Sequence, residues 1–365
     1  MQKAVKVLEN QVHQSRIFKW RTGTTCTDVE FSFLEARGVS RPLKTTPTVV
    51  LLPSLDLLST KEEWRKTSAA LSTMGAHSII LEWPGYCVNQ PQVNEYFATI
   101  GKEHPPVDLL TEYLTQCIDY FNNECVSIGS PLFIAAAGGA ASIHASRAIM
   151  NSGINAGLIS VAPVYKHNLR KVIGDDLPVR FGRWQQRLIR HLPGFLESKL
   201  GQRMYLSMRL LEKMTRRYFV EPVTSHAQRA ITKQVALRRP GCPLDLHIAM
   251  ITSSLDPVHS TRALVAELLQ VKFDSDECDT DDEDDLLLFG HQLPVYSAPT
   301  IQGEVKQNLT IILPSDCIDK DDVKELRVIK DAAKTAGVQT FSIPGRLFCH
   351  EEYSQATAAV LSSII

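Results

Sequence analysis

The chain has 365 residues, of which 44% are hydrophobic and 22% are charged, and its formal net charge is −1. These values are typical of a globular protein with a full hydrophobic core, in one domain or two. No apolar run approaches the roughly 20 residues of a membrane-spanning helix, and the N-terminal stretch lacks the apolar core of a secretory signal. The eight cysteines are scattered without a CxxC pair, which argues against a zinc site or a disulfide framework and favours a reducing compartment.

Short apolar runs alternate with amphipathic segments along the chain. An alternating pattern between Phe18 and Glu35 predicts an early antiparallel hairpin. Buried strands are predicted at Thr48–Leu52, Ser78–Glu82, Leu132–Ala136, Ala156–Ala162, Leu309–Leu313 and Gln339–Ile343. Helices are predicted at Lys61–Thr73, from about Val107 to Asn122, at Asp321–Ala336 and at the C-terminal end, and a further helix follows the turn at Leu255-Asp256-Pro257 and ends at Leu269. Strands that alternate with helices predict an α/β protein with a mostly parallel, doubly wound sheet.

The helix predicted at Lys61–Thr73 has a recognisable start. Ser59 or Thr60 can cap it, and Glu63 lies in its first turn, which is the arrangement of a capping box. We therefore expect Glu63 to have a local role at this helix terminus.

The segment from Pro131 to Arg147 has the shape of a nucleophile elbow. A buried strand is followed at once by Gly138 and Gly139, and then by apolar residues at helical spacing. Such an elbow reads Gly-x-Ser-x-Gly when it carries a serine nucleophile. Here Gly138 stands at the serine position, or Ala137 if the register shifts by one residue. Neither side chain can attack a carbonyl group, so the elbow predicts no nucleophile.

Two segments have a strong charge bias. Residues 166–239 contain 17 Lys and Arg against 5 Asp and Glu, which predicts helices with a basic face. Of the twelve residues 274–285, nine are acidic, which predicts a solvated, mobile loop. This loop lacks the glycine that an EF-hand calcium loop needs, and the basic segment contains no recognised nucleic-acid-binding module. Either segment is a candidate surface for a protein partner, and no nucleic acid is expected.

Five motifs, in order along the chain, resemble the α/β-hydrolase superfamily. They are LLPSLDLLSTKEEW (51–64), LEWPGY (81–86), AAAGGAAS (135–142), TSSLDPVHS (252–260) and PGRLFCHEEY (344–353). The chain looks most like a plastid and cyanobacterial branch that has a proline-rich loop after the third strand and lacks the serine nucleophile. The resemblance implies an α/β-hydrolase fold, with core segments 1–165 and 246–365 around a helical basic cap at 166–245. It also implies a plastid location; without it, a cytosolic and not a secreted protein is expected.

The resemblance also implies where a site would lie. His350 and Asp316 match the family's histidine and acid, and would form a remnant dyad in which the acid orients the imidazole. An oxyanion donor would come from Ser54 or Leu55, because Pro53 has no N–H group. The ligand pocket would be lined by these three loop residues together with Gly139.

Three hypotheses for function follow. A chain without a nucleophile is non-hydrolytic, and binds a small apolar ligand under the cap or acts as a protein-interaction scaffold. The alternative is an enzyme in which His350 and Asp316 carry out general-base chemistry without a covalent intermediate. The third is a hydrolase with a displaced nucleophile, Ser54 or Cys87, because both lie on loops at the carboxyl ends of strands. No cofactor and no metal is expected.

Overall fold

The computed structural model describes residues 13–20, 29–37, 46–102, 106–124, 130–165, 207–243, 246, 257–258, 261–270 and 308–365. The acidic segment 274–285 and the first half of the predicted cap, 166–206, lie outside the described residues. Within the described part of the chain, no helix has the length and apolar character to cross a membrane.

The centre of the fold is an eight-stranded sheet with the strand order β1-β2-β4-β3-β5-β6-β7-β8. The strands are β1 (His13–Trp20), β2 (Val29–Ala36), β3 (Thr48–Leu52), β4 (His77–Ile80), β5 (Leu132–Ala137), β6 (Ala156–Val161), β7 (Leu309–Pro314) and β8 (Gln339–Ile343). The pair β1–β2 and the pair β2–β4 are antiparallel, and every other pair is parallel. The predicted mostly parallel sheet is therefore confirmed.

The central strands are short and apolar because they are covered on both faces. Every residue of β3 and of β6 is buried, and β5 is buried apart from the partly exposed Phe133. The hairpin β1–β2 lies at one edge of the sheet, and alternate residues of β1, among them Phe18 and Trp20, point into the core.

The described helices are α1 (Arg65–Thr73), α2 (Pro91–Ile100), α3 (Pro106–Glu124), α4 (Gly139–Ser152), α5 (Met208–Tyr218), α6 (Ala227–Arg238), α7 (Thr261–Leu269), α8 (Lys320–Thr335), α9 (Cys349–Glu352) and α10 (Ser354–Ile364). A 3₁₀ turn, Lys61–Trp64, precedes α1, and another, Val223–Ser225, lies between α5 and α6. The helix α2 was not predicted from the sequence.

The helices form two groups, one on each face of the sheet. Helix α1 connects β3 to β4, whereas α4 connects β5 to β6, in the opposite direction along the sheet. Right-handed crossovers in opposite directions place the two helices on opposite faces. Helix α10 packs against α1, and α3 and α7 pack against α4. The point where the direction reverses lies between β3 and β5, and sites in such sheets form at this switch point.

Candidate functional site

The turn between β5 and α4 is held by Gly138, which has φ +80° and ψ 162°. Only glycine adopts this backbone region without strain. Its N–H group donates to the carbonyl of Val161 at 2.7 Å, which ties the turn to the end of β6. Ala137, the other candidate position, is the last residue of β5 and pairs with Val161 in the sheet. The sharp turn therefore lies at Gly138, where a nucleophile would stand.

The two glycines of the turn have different surroundings. Among the described residues, a Cβ atom at Gly138 would meet a single heavy atom within 4 Å, the Cβ of Ser54 at 3.4 Å. A Cβ atom at Gly139 would lie 2.3 Å from Leu264 Cδ1 and 2.9 Å from the carbonyl oxygen of Val164. Gly139 is therefore needed for the close packing of α4 against α7, whereas the described residues leave space beside Gly138.

His350 lies in α9, after β8, and its side chain is fully buried. The imidazole packs against Trp64 at a ring-centroid distance of 4.4 Å and against Phe348 at 5.7 Å. Its Nε2 atom is 3.2 Å from Oε2 of Glu63. Its Nδ1 atom has no hydrogen-bond partner within the described residues. Since an ionised carboxylate only accepts hydrogen bonds, the Nε2 atom carries the proton in this contact.

Asp316 does not make the predicted contact with His350. Its carboxylate accepts from the Gly345 N–H at 2.7 Å and from the Ser315 hydroxyl at 3.1 Å. Its own N–H donates to the carbonyl of Gly345 at 2.9 Å. These bonds hold the exposed Asp316 side chain at the turn after β8, so its observed role is to join the loops that follow β7 and β8. The carboxylate beside His350 is instead that of Glu63.

The Glu63 side chain is fully buried and both of its oxygens are contacted. Oε1 accepts from the Thr60 N–H at 2.9 Å, which is the expected helix-capping contact, and lies 3.6 Å from Lys233 Nζ. Oε2 faces His350 and also accepts from the Ser54 N–H at 3.4 Å. Ser54, one of the two predicted oxyanion donors, is therefore already bound to a carboxylate of the same chain.

Lys233 brings the described part of the predicted cap into this cluster. Its Nζ atom is 2.8 Å from Glu351 Oε2, and its side chain is only 1% exposed. The ammonium group also lies 4.7 Å from the ring centroid of Phe348 and 5.7 Å from that of Phe219. Helix α6 is thus fixed over the loops that follow β3 and β8.

Other basic side chains of residues 207–243 also point inward. Arg217 forms a two-pronged ion pair with the buried Asp322, with N–O distances of 2.8 and 2.5 Å. Arg239 is fully buried, donates to the carbonyls of Asp56 and Ser59, and lies 4.8 Å from the ring centroid of Tyr86. Within residues 207–243, some side chains of the predicted basic face therefore bind the core and are not solvated.

The candidate displaced nucleophiles lack the surroundings of a reactive group. The Ser54 hydroxyl is buried, and none of the described residues forms a hydrogen bond with it or stands as a base that could activate it. The Cys87 thiol is fully buried and donates to the Trp83 carbonyl at 3.3 Å. Burial, with the nearby charge of Glu82, raises the pKa of Cys87 well above its usual range, which keeps the thiol protonated.

The loop after β3 is fixed by hydrogen bonds to its carbonyl groups. The indole N–H groups of Trp64 and Trp83 donate to Leu52 and Pro53 at 2.8 and 2.7 Å, and the Tyr86 hydroxyl donates to Leu55 at 3.4 Å. The predicted pocket residues Pro53, Ser54 and Leu55 therefore lie beside the elbow in a rigid loop. Among the residues described, no cluster of His, Cys, Asp and Glu could hold a metal ion.

No protein-family model matches the chain, and no curated protein matches its sequence. Among solved structures, a serine hydrolase from the polyaromatic-hydrocarbon-degrading bacterium Cycloclasticus zankles superposes with a TM-score of 0.52 at 9% identity, covering 96% of this chain and 97% of its own. A probable hydrolytic enzyme from Pseudomonas aeruginosa has a TM-score of 0.50 at 10% identity, with 97% and 95% covered. A meta-cleavage product hydrolase from Pseudomonas fluorescens has a TM-score of 0.50 at 10% identity, with 91% and 94% covered.

These similarities, together with the strand order and the elbow, show that the chain has the α/β-hydrolase fold. At such low identity they show the fold alone, and the chemistry has to be argued from the site.

Proposed function

We propose that this chain is a non-hydrolytic protein with the α/β-hydrolase fold. The observation that carries the proposal is Gly138 at the sharp turn between β5 and α4, where a nucleophile would stand. Loss of the nucleophile from a catalytic triad typically lowers kcat by about 10⁶-fold. The remaining geometry would therefore leave no useful hydrolysis.

The two other candidate nucleophiles support the same proposal. Ser54 has no described partner that could take its proton, and the Cys87 thiol is held in its neutral form by burial. Hydrolysis through either side chain would need a base that the described residues do not supply.

The contents of the site favour a protein-interaction scaffold over a binder of a small apolar ligand. The space beside the elbow contains the Glu63 carboxylate, with His350 and Lys233 against it, and all three side chains are buried. A small apolar ligand at this place would have to displace paired charges, which is costly. The proposal includes the division into core segments 1–165 and 246–365 with a cap at 166–245, and the plastid location that the resemblance implies.

A second candidate function is general-base chemistry, with Glu63 and not Asp316 as the partner of His350. It is favoured by one observation: Nε2 of His350 faces a carboxylate while Nδ1 has no partner within the described structure. An imidazole oriented in this way can accept a proton at Nδ1. The complete burial of His350 means that a substrate reaches it only after the covering side chains move.

Two assays on the wild-type chain test the main proposal. Turnover of p-nitrophenyl acetate and butyrate should not exceed that of a serum-albumin control, and a fluorophosphonate probe should not label the folded protein. An active serine esterase treated in parallel is the positive control for both assays. Saturable turnover that Ser54→Ala or Cys87→Ala abolishes would overturn the proposal, and turnover that only His350→Gln abolishes would favour the second candidate.

A further inference from the structure

The Glu63 carboxylate is surrounded by nitrogen atoms from separate parts of the chain, three within hydrogen-bond distance and the Lys233 ammonium as an ion pair at 3.6 Å. The Thr60 and Ser54 N–H groups come from the loop after β3, His350 comes from α9, and Lys233 comes from α6. Each oxygen has one backbone N–H group and one side-chain nitrogen against it. Because the carboxylate is buried, these donors replace the water that would otherwise solvate its charge.

A helix cap accounts for only one of these donors. The Thr60 N–H completes the capping box, and this bond uses Oε1 alone. Ser54, His350 and Lys233 have no part in starting the helix, yet all three direct a nitrogen at the same carboxylate. Ser54 also lies beside the elbow, since its Cβ is 3.4 Å from the place of a Cβ at Gly138. The arrangement is therefore that of a site built around an anion.

We propose that Ser54, His350 and Lys233 form an anion pocket beside the elbow and that Glu63 is its built-in occupant. In this role the Glu63 carboxylate keeps external carboxylates and other oxyanions away from the Ser54 N–H. The pocket is closed by a side chain of the same chain, so it accepts a free carboxylate once that side chain is shortened. This inference goes beyond the absence of hydrolysis, because it concerns what occupies the site.

The shape of the glutamate side chain defines the probe. Glu63→Ala keeps the Cβ atom and removes one methylene group and the carboxylate, which together correspond to acetate. Acetate therefore fits the vacated space and can take up the four contacts of the lost carboxylate. Butyrate is two methylene groups longer and should not fit, because protein interiors are close-packed. Chloride is a single atom and cannot take the place of both carboxylate oxygens.

The experiment is thermal unfolding of Glu63→Ala at pH 7 in increasing acetate, with chloride used to hold the ionic strength constant. A ligand that binds only the folded state stabilises it by mass action, so we expect a saturable rise in Tm of about 2 to 5 °C. Butyrate should give less than half of this rise. The wild-type chain and Glu63→Gln, in which the pocket stays filled, should show no acetate-dependent rise.

Glu82→Ala is the matched control. Glu82 is also a buried carboxylate, paired with Lys61 at 3.2 Å and accepting from the Val88 N–H at 3.1 Å, but it lies in another cluster. An equal acetate response in Glu82→Ala would overturn the proposal. Acetate would then bind in the cavity left by any buried carboxylate, and the Glu63 site would not be special. A folded Glu63→Ala without a response, or a wild-type chain with the same response, would overturn it too.

The test remains decisive if Glu63→Ala does not fold alone. Its refolding yield from denaturant should then rise with acetate and not with chloride, and a yield that acetate leaves unchanged counts against the proposal. The outcome is also separate from the ester assays. A displaced nucleophile would be detected as ester turnover and would not change the acetate-dependent rise in Tm. The absence of that rise would not change the interpretation of the ester assays.

Discussion

The Nε2 atom of His350 lies 3.2 Å from Oε2 of Glu63, and both side chains are fully buried. The contact fixes the imidazole with its proton on Nε2, and it joins two residues that are 287 positions apart in the chain. The histidine is thus paired with a carboxylate, as the family resemblance implied, but the carboxylate comes from the loop after β3. The nitrogen that would serve a nucleophile at the elbow is the one that faces Glu63.

Gly138→Ser should fail to create an esterase. Among the described residues the new hydroxyl has room, but the Ser54 N–H, one of the two predicted oxyanion donors, is already bound to Glu63. We expect turnover of p-nitrophenyl acetate within twofold of the wild-type value and no fluorophosphonate labelling. Gly153→Ser is the control for backbone strain, because Gly153 also has a positive φ and open space around it. Stoichiometric labelling of Gly138→Ser alone would show that the site still activates a serine.

Lys233→Met should destabilise the fold strongly. Removal of the ammonium group leaves the buried Glu63 carboxylate without the Lys233 cation, whereas Glu351 keeps Arg229 at 3.4 Å, and breaking a buried ion pair on one side costs about 3 to 5 kcal/mol. Urea unfolding at pH 7 measures the loss. Arg238→Met, at an exposed position on the same helix, should change the free energy of unfolding by less than about 0.5 kcal/mol.

The double variant Glu63→Gln/Lys233→Met tests whether the loss is electrostatic. With the Glu63 charge also removed, part of the stability should return, since the two substitutions act on one pair. Strictly additive losses would mean that Lys233 stabilises the chain by packing alone.

Glu35 should make the stability depend on acidic pH. Burial alone would raise its pKa, but the hydrogen bond and charge of His77, together with Arg37 and Arg16, lower it from 4.5 to about 2. Because the folded-state pKa lies below the unfolded one, this stabilisation is fully present above pH 4.5 and is lost as the pH falls towards 2. We expect a loss on the order of 2 to 3 kcal/mol over that window. Urea unfolding at pH values between 6 and 3 measures the free energy of unfolding over the upper part of this pH window.

The matched pair of variants for this effect lies on one strand. Glu35→Gln should flatten the pH dependence, whereas Glu30→Gln, at an exposed position of β2, should leave it unchanged. The same slope in Glu35→Gln as in the wild type would assign the acid sensitivity to other groups.

Cys87 should resist alkylation in the folded chain. Burial raises its pKa well above the usual range, whereas Cys242 is partly exposed and its pKa is raised to about 11. With iodoacetamide at pH 8, peptide mass spectrometry should show labelling of Cys242 at least tenfold faster than that of Cys87, and equal labelling after unfolding in urea. Fast labelling of Cys87 in the folded chain would show that its thiol is reactive, and Cys87 would again be a candidate nucleophile.

The fold could be predicted from sequence because its signals are local. Short apolar runs gave the strands from β3 onward, and the two glycines at 138–139 marked the elbow, since its turn requires a positive φ and close packing. Helix α2 was not predicted, although Pro91 suits the first position of a helix.

The contacts of the site could not be predicted because they depend on tertiary structure. Glu63 has a complete local explanation as a capping residue, and nothing nearby in the sequence indicates His350 as its partner. Lys233 was missed because a lysine in a basic helix is normally solvated. Asp316 follows the expected strand, but its carboxylate accepts a hydrogen bond from the Gly345 N–H and not from the His350 imidazole. The position of a residue in the chain predicts which edge of the sheet it lies at, but it does not predict which side chain it contacts there.

The described part of the predicted cap is also tied to the segment after β8 through backbone hydrogen bonds. The Phe348 N–H donates to the Tyr218 carbonyl at 3.0 Å, and the Glu352 carboxylate accepts from the N–H groups of Val220 and Glu221. During synthesis on the ribosome, these partners emerge about 130 residues after Tyr218, which takes roughly 7 to 26 s at ~5–20 residues per second. In the folded chain the Phe348 ring lies edge-to-face against Phe219 at a centroid distance of 5.4 Å and 4.7 Å from Lys233 Nζ. For that interval Phe219 and Lys233 lack this ring, so the packing around them is completed only when the segment after β8 has been made.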